Sequence, residues 1–179
     1  LAVTCHRREN YGEPMQNIMH AILRLVEENP DVEVVYPVHL SPVVRECAFP
    51  ILGSHPRIHL IDPIDVEEMH NLMARCFFVL TDSGGLQEEA PALGKPVLVM
   101  RRETERPEAI AAGTAKLVSV EQETILREAN ELLHSEAAYA KMAKAVNPYG
   151  DGHASERIVQ AILWHFGRTA NRPGNFCAQ

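Results

Sequence analysis

Phe77-Phe78-Val79-Leu80-Thr81-Asp82-Ser83-Gly84-Gly85-Leu86-Gln87-Glu88-Glu89-Ala90-Pro91-Ala92-Leu93-Gly94-Lys95-Pro96-Val97-Leu98-Val99-Met100 is the stretch whose reading decides the fold. Phe77 to Thr81 is a continuous apolar run of the kind found in strands buried on both faces. It breaks at Asp82-Ser83-Gly84-Gly85. Leu86 to Leu93 then reads as a helix that Gly94-Lys95-Pro96 stops, and Pro96 to Met100 is a second buried strand. Two buried strands joined through a helix make a βαβ unit, which places them parallel in one sheet.

The same alternation extends in both directions. Leu1 to Thr4 reads as a strand. Met15, Ile18, Met19, Ile22, Leu23 and Val26 recur at helical spacing behind Pro14, a first-turn residue. Val32 to Val38 and Ile58 to Ile61 read as strands. Ser41-Pro42 opens a short helix as N-cap and first helical residue. Asp65 with Glu68 has the spacing of a capping box, ahead of a helix whose apolar face is Val66, Met69, Leu72 and Met73. Beyond Met100, Ala115 to Val120 predicts a strand. Helices follow through Ile125 to Leu133, through Ala137 to Val146 and, after the turn Asn147-Pro148-Tyr149-Gly150-Asp151-Gly152, from Ala154 to Phe166. Such a pattern predicts an α/β class protein, a doubly wound parallel sheet of Rossmann-like type, with helices on both faces. The expected organisation is one domain over residues 1–167 and a disordered tail over 168–179.

Composition sets the outer limits. The 179 residues are 46% hydrophobic and 23% charged, which excludes low-complexity and collagen-like classes. No apolar run reaches the roughly 20 residues that cross a bilayer, so neither a membrane span nor a membrane partner is expected. Lys and Arg number 17 against 24 Asp and Glu, a net charge of −7. A nucleic-acid partner held by a general positive field is therefore not expected, and an anionic ligand needs a local cluster of cations. Cys5, Cys47, Cys76 and Cys177 form no C-x-x-C pair, which leaves reduced structural thiols, a cytoplasmic setting and no metal site as the expectation. The first residue is Leu, and the strand that starts there reads as the middle of a fold.

In a doubly wound sheet, ligands bind beyond the carboxyl ends of the strands. His6-Arg7-Arg8 follows the first strand, His39 the second, Asp62-Pro63 the third, Asp82 to Gly85 the fourth and Arg101-Arg102 the fifth. Every candidate group falls on one edge. Ser83-Gly84-Gly85 lets a backbone approach closely and offers a helix N-terminus to a phosphate, the alternative being a plain tight turn. It is neither a dinucleotide fingerprint nor a P-loop. One turn on, Glu89 can accept from ribose hydroxyls, whereas Glu88 reads as a helix-dipole partner. His6 through Asn10 suits a diphosphate or else a solvated loop. His39 reads as capping or packing, and His20, His55, His59, His70, His134 and His165 as structural or exposed. Arg106, in the charged run Glu103 to Glu108, is a candidate anion contact, and Trp164 reads as helix packing.

Together these segments carry a resemblance. Thr4-Cys5-His6-Arg7-Arg8-Glu9-Asn10, Tyr36-Pro37-Val38-His39, Leu80 through Pro91, Gly94-Lys95-Pro96-Val97-Leu98 and Thr104-Glu105-Arg106-Pro107-Glu108 stand in order, and the chain resembles the C-terminal half of the bacterial non-hydrolysing UDP-N-acetylglucosamine 2-epimerases from Leu1 to about Gly167. The resemblance implies the C-terminal domain of a glycosyltransferase-B type fold that holds the UDP part of a UDP-sugar. His6 would be catalytic, near the diphosphate and the reacting sugar. Ser83, Gly84 and Gly85 would bind phosphate, Glu89 the ribose and Arg106 the phosphate or sugar. Ile64 to Met69 would lie along the uracil, chiefly through backbone groups. Arg7, Glu9 and His39 would contact a second, allosteric UDP-sugar. It further implies elimination and re-addition of UDP through a glycal, with no cofactor, carboxylates supplied by an N-terminal domain outside this sequence, and a homodimer for the full-length protein. The isolated domain is then expected to be inactive. Rival readings are the nucleotide-sugar half of a glycosyltransferase and a non-catalytic nucleotide-sugar sensor.

Overall fold

A computed structural model describes residues 1–176. Cys177 and the end of the expected tail lie outside the described residues. Six parallel strands are ordered β3-β2-β1-β4-β5-β6: β1 Ala2–Thr4, β2 Val34–Pro37, β3 Ile58–Ile61, β4 Val79–Thr81, β5 Val97–Val99 and β6 Ala115–Leu117. Among the described residues eight α-helices are interleaved with them: α1 Glu13–Glu28, α2 Pro42–Leu52, α3 Val66–Arg75, α4 Gly84–Ala92, α5 Pro107–Ala112, α6 Gln122–His134, α7 Glu136–Ala143 and α8 Ala154–His165. The strand order reverses between β1 and β4, which pair in register Ala2 with Val79, Val3 with Leu80 and Thr4 with Thr81. That is the topological switch point, where two connections leave in opposite directions and open a crevice.

Side-chain alternation along the strands divides the core in two. Val3, Leu80 and Leu98 join the core beneath α1, α2 and α6. Ala2, Val79, Val97 and Val99 point the other way, into the core beneath α3, α4 and α5. The first core is larger because α1 contributes Met15, Ile18, Met19, Ile22, Leu25 and Val26, all fully buried. Tyr36 is buried in it as well, and its hydroxyl donates to the Cys5 carbonyl at 2.7 Å. Burial raises both the Tyr36 phenol and the Cys5 thiol far above neutral pH, so both groups stay uncharged.

Several expectations are corrected by the packing. Phe77 precedes β4 rather than belonging to it; its ring is exposed and stacks on Tyr139 at 4.3 Å, while Tyr139 donates its hydroxyl to the Phe77 carbonyl. Helix α4 begins at Gly84, two residues before the apolar pattern starts, because glycine has no side chain to register in that pattern. Of the apolar face expected for α3, Met73 is buried, Val66 is exposed, and Met69 and Leu72 lie between. Ser41 stands at the N-cap of α2 without capping through its side chain. Arg8–Asn10 forms a 3-10 turn, and α5, which the charged run concealed, starts at Pro107. Helix α8 has no buried residue. Trp164 is not packed into a core: it is exposed, with the Arg172 guanidinium 5.6 Å from its ring centre. Among the described residues no helix is long and apolar enough to cross a membrane.

The capping box at α3 is present as read from the sequence. Glu68 N–H donates to Asp65 Oδ1 at 2.8 Å, and Asp65 N–H donates to Glu68 Oε2 at 3.2 Å. Asp65→Ala is expected to cost about 1 kcal/mol, the usual worth of an N-cap, read as a shift in the denaturant midpoint with unchanged slope.

Candidate functional site

The crevice at the switch point is built on one buried carboxylate. Asp82, fully buried at the end of β4, accepts from the backbone N–H groups of His6 (2.9 Å) and Arg7 (2.8 Å) and from the Asn10 amide (3.0 Å). Just below, the hydroxyls of Thr4 and Thr81 meet at 2.6 Å. These bonds fasten the loop after β1 to the loop after β4 and aim His6 and Arg7 outward. Asn10 also donates to the Met100 carbonyl, which brings the loop after β5 into the same frame. The sequence places Asp82 and Asn10 among the candidate groups on this edge; that they form its frame rather than its ligand contacts is revealed only by their burial.

Above that frame lies a cationic rim. A Cβ placed on Gly84 would meet Arg7 Nη2 at 3.5 Å and Arg106 Nη2 at 4.0 Å, so two guanidinium groups converge on the first turn of α4. Ser83 is the N-cap residue and makes no side-chain cap; its hydroxyl lies 3.9 Å from the Cβ position of Gly85, at the turn where the first N–H groups of the helix are unpaired. Arg7 bonds a backbone carbonyl, that of Asp82, rather than a carboxylate. Arg106 is paired with Glu88, which corrects the reading of Glu88 as a helix-dipole partner. The loop carrying Arg106 is tied to the glycine turn through Gln87. This fully buried side chain donates to the Ser83 carbonyl at 3.1 Å and accepts from the Thr104 hydroxyl at 2.6 Å, while Thr104 in turn accepts from the Arg106 N–H. Periodicity gives no signal for Gln87, because at the head of the polar run Gln87-Glu88-Glu89 it reads as solvent-facing.

His6 lies over Asp82, its Nδ1 3.6 Å from Oδ1, and stacks on the ring of His39 at 5.3 Å and 13°. Burial lowers the His6 pKa, helped by His39 and Arg7 and opposed by Asp82, so the imidazole is neutral at pH 7. His39 Nδ1 accepts from the Ser41 N–H, in keeping with the capping reading. Arg7, Glu9 and His39, grouped in the sequence reading, line one cavity of about 590 Å³ with His6, Arg8, Tyr11 and Ser41, and each also has its own partner. Arg7 joins the glycine turn, His39 joins His6, and Glu9 grips Arg101 at 2.5 Å. Arg101 is buried and also paired with Glu105, whose carboxyl it holds down at about 2. It serves as an internal strut between two loops.

On the other side of α4, Glu89 Oε1 lies 3.3 Å from the Cβ position of Gly85, and Oε2 is 3.0 Å from His70 Nε2. His70, expected to be merely structural or exposed, therefore contacts a candidate site residue. Ile64 is half-buried in the approach to α3. Met69 packs toward the core, with its N–H bonded to the Asp65 carbonyl within the helix.

The family model described as UDP-N-acetylglucosamine 2-epimerase matches residues 1–163. The UDP-N-acetylglucosamine 2-epimerase of Bacillus subtilis is 54% identical over 176 residues, 98% of this chain and 46% of that protein. A co-structure of S. aureus MnaA with UDP matches at a TM-score of 0.94 and 50% identity, covering 98% of this chain and 48% of that one. The UDP-GlcNAc 2-epimerase of Neisseria meningitidis, solved bound to UDP-GlcNAc, matches at 0.87 and 47% identity over 91% of this chain and 44% of that one. The chain thus spans about half the length of the curated relatives it matches.

Asp82→Ala strips one acceptor from several buried donors at once and is expected to destabilise the fold by about 3 kcal/mol or more in denaturant unfolding. Asp82→Asn removes the charge that raises the His6 pKa, so the His6 titration followed by NMR moves further down.

Proposed function

Because the chain belongs to the UDP-N-acetylglucosamine 2-epimerase family, we propose that it forms the half of such an enzyme that holds the UDP portion of a UDP-N-acetyl sugar. The whole protein then interconverts UDP-N-acetylglucosamine and UDP-N-acetylmannosamine. The observation that carries this reading is the convergence of the Arg7 and Arg106 guanidinium groups on Gly84, at a helix N-terminus whose cap hydroxyl is unused. Two planar cations and a set of fixed N–H donors suit a diphosphate, whose oxygens can take charge-assisted bonds from both.

In this proposal uracil lies along Ile64 to Met69. Because the Met69 N–H is already used within α3, the residues before the helix, Ile64 above all, supply the backbone contacts. Glu89 accepts from the ribose hydroxyls. Ser83, Gly84 and Gly85 take phosphate oxygens, and Arg106 leaves Glu88 or bridges it to the ligand. His6 stands where the diphosphate meets the sugar. When UDP departs from C1 with formation of the glycal, charge grows on the leaving diphosphate, and fixed donors aimed there stabilise the transition state more than the ground state. The carboxylates that move the C2 proton come from groups outside these 179 residues, so the chain alone binds UDP without turning it over. An allosteric UDP-sugar at Arg7, Glu9 and His39 would share Arg7 with the substrate, which makes the two ligands neighbours. The adjoining N-terminal domain, the homodimer and the cytoplasmic setting belong to the same proposal.

Gly84→Ala tests the phosphate reading. A Cβ there makes ordinary contacts in the free protein, and Ala is the better helix former, so stability should hold or rise by about 0.5 kcal/mol. The methyl occupies the space between the guanidinium groups, and UDP affinity by calorimetry is expected to fall at least about tenfold. Unchanged affinity would remove the diphosphate from this turn.

The pH dependence of binding has a definite sign. The free-protein His6 pKa is depressed, and a bound polyanion raises it, so binding takes up a proton and the His6 contribution to affinity grows as pH falls through the bound-state pKa toward the lower free-protein one. The ratio of UDP dissociation constants, His6→Gln over wild type, should therefore rise from pH 8 to pH 6, a comparison that cancels the ionisation of UDP itself.

A further inference from the structure

His70 and Glu89 sit on different helices, α3 and α4, and meet at 3.0 Å. A carboxylate oxygen only accepts, so His70 Nε2 carries the proton and donates. The pair does little for stability, since both side chains are nearly half exposed, 49% and 43%. Its consequence is orientation. Glu89 has three rotatable bonds, so without a fixed partner its carboxylate would sample several orientations. With Oε2 bonded to His70 on α3 and Oε1 3.3 Å from the Cβ position of Gly85, the carboxylate is fixed in one orientation beside the glycine turn. A sugar ring between a base along Ile64 to Met69 and a diphosphate at Gly84 would meet the carboxylate there.

We propose that His70 is a positioning residue that gives this site its selectivity for ribonucleotides over deoxyribonucleotides, by fixing the Glu89 carboxylate in the orientation that accepts from ribose hydroxyls. The inference rests on the reading of Glu89 as the ribose contact. A hydrogen bond to a carboxylate gains most when the acceptor is already aimed, because no rotamer freedom is then lost on binding. The apolar base contacts and the phosphate contacts do not involve His70. Its loss should therefore leave a nucleotide that lacks the hydroxyls unaffected.

The test uses the 179-residue chain, with UDP and 2′,3′-dideoxy-UDP titrated by calorimetry. The wild type is expected to favour UDP by about tenfold or more, the discrimination that paired polar groups give. His70→Ala should cut that ratio at least about threefold through weaker UDP binding alone, with dideoxy-UDP affinity unchanged, and His70→Gln, whose amide nitrogen can replace Nε2 as donor, should recover part of it. Glu89→Gln should bring the ratio close to one. If His70→Ala keeps the wild-type ratio, or weakens both nucleotides equally, while Glu89→Gln loses the ratio, the role given to His70 is overturned and that of Glu89 stands. If Glu89→Gln keeps the ratio, the ribose reading of Glu89 falls and the role of His70 with it.

Discussion

A single buried carboxylate organises the binding edge. Asp82 is removed from water and accepts from two consecutive backbone N–H groups and from the Asn10 amide. An isolated charge at that depth would cost several kcal/mol, so it persists only because its donors are already in place. Those donors belong to the loop after β1, and Asp82 belongs to the loop after β4. The strand order reverses between these two strands. The bonds thus hold together two loops that the sheet topology would otherwise let diverge, and the crevice between them keeps its shape without a ligand.

Around that frame, charge is placed by pairing rather than by excess. The chain carries a net charge of −7, yet Arg7 and Arg106 both reach the first turn of α4. Arg101 is buried and held by Glu9 and Glu105, which makes it a strut. Arg106 is held by the half-exposed Glu88 and stays within reach of an incoming anion. Arg7 is aimed by a carbonyl and keeps its full charge for a ligand. Similar side chains in neighbouring loops therefore have different parts, and burial of the guanidinium decides between them.

Gln87 shows how the two halves of the rim are kept in step. It joins the Ser83 carbonyl to the Thr104 hydroxyl, so the glycine turn and the arginine loop move as one unit. Because Gln87 is fully buried, removing either bond would leave a polar group unpaired in the core. Two loops separated in the chain by helix α4 and strand β5 acquire a common geometry in this way.

The sequence by itself determined the α/β alternation, the parallel sheet, the capping box at Asp65 and the edge on which the polar groups gather. Each depends on local periodicity, on turn chemistry or on the rule that parallel strands send their loops to one side. It also carried the family resemblance, because the motifs along that edge are contiguous in the chain. Only the tertiary structure decided which polar residues work together. The pairs Asp82 with His6 and Arg7, Arg101 with Glu9, and His70 with Glu89 are far apart in the chain and carry no periodic signal. Burial, which separates the strut Arg101 from the available Arg7, depends on what the other elements cover. The same holds for the exposed Phe77 and for Trp164 on α8: apolar patterning shows that a side chain can be buried, and packing against a partner element decides whether it is.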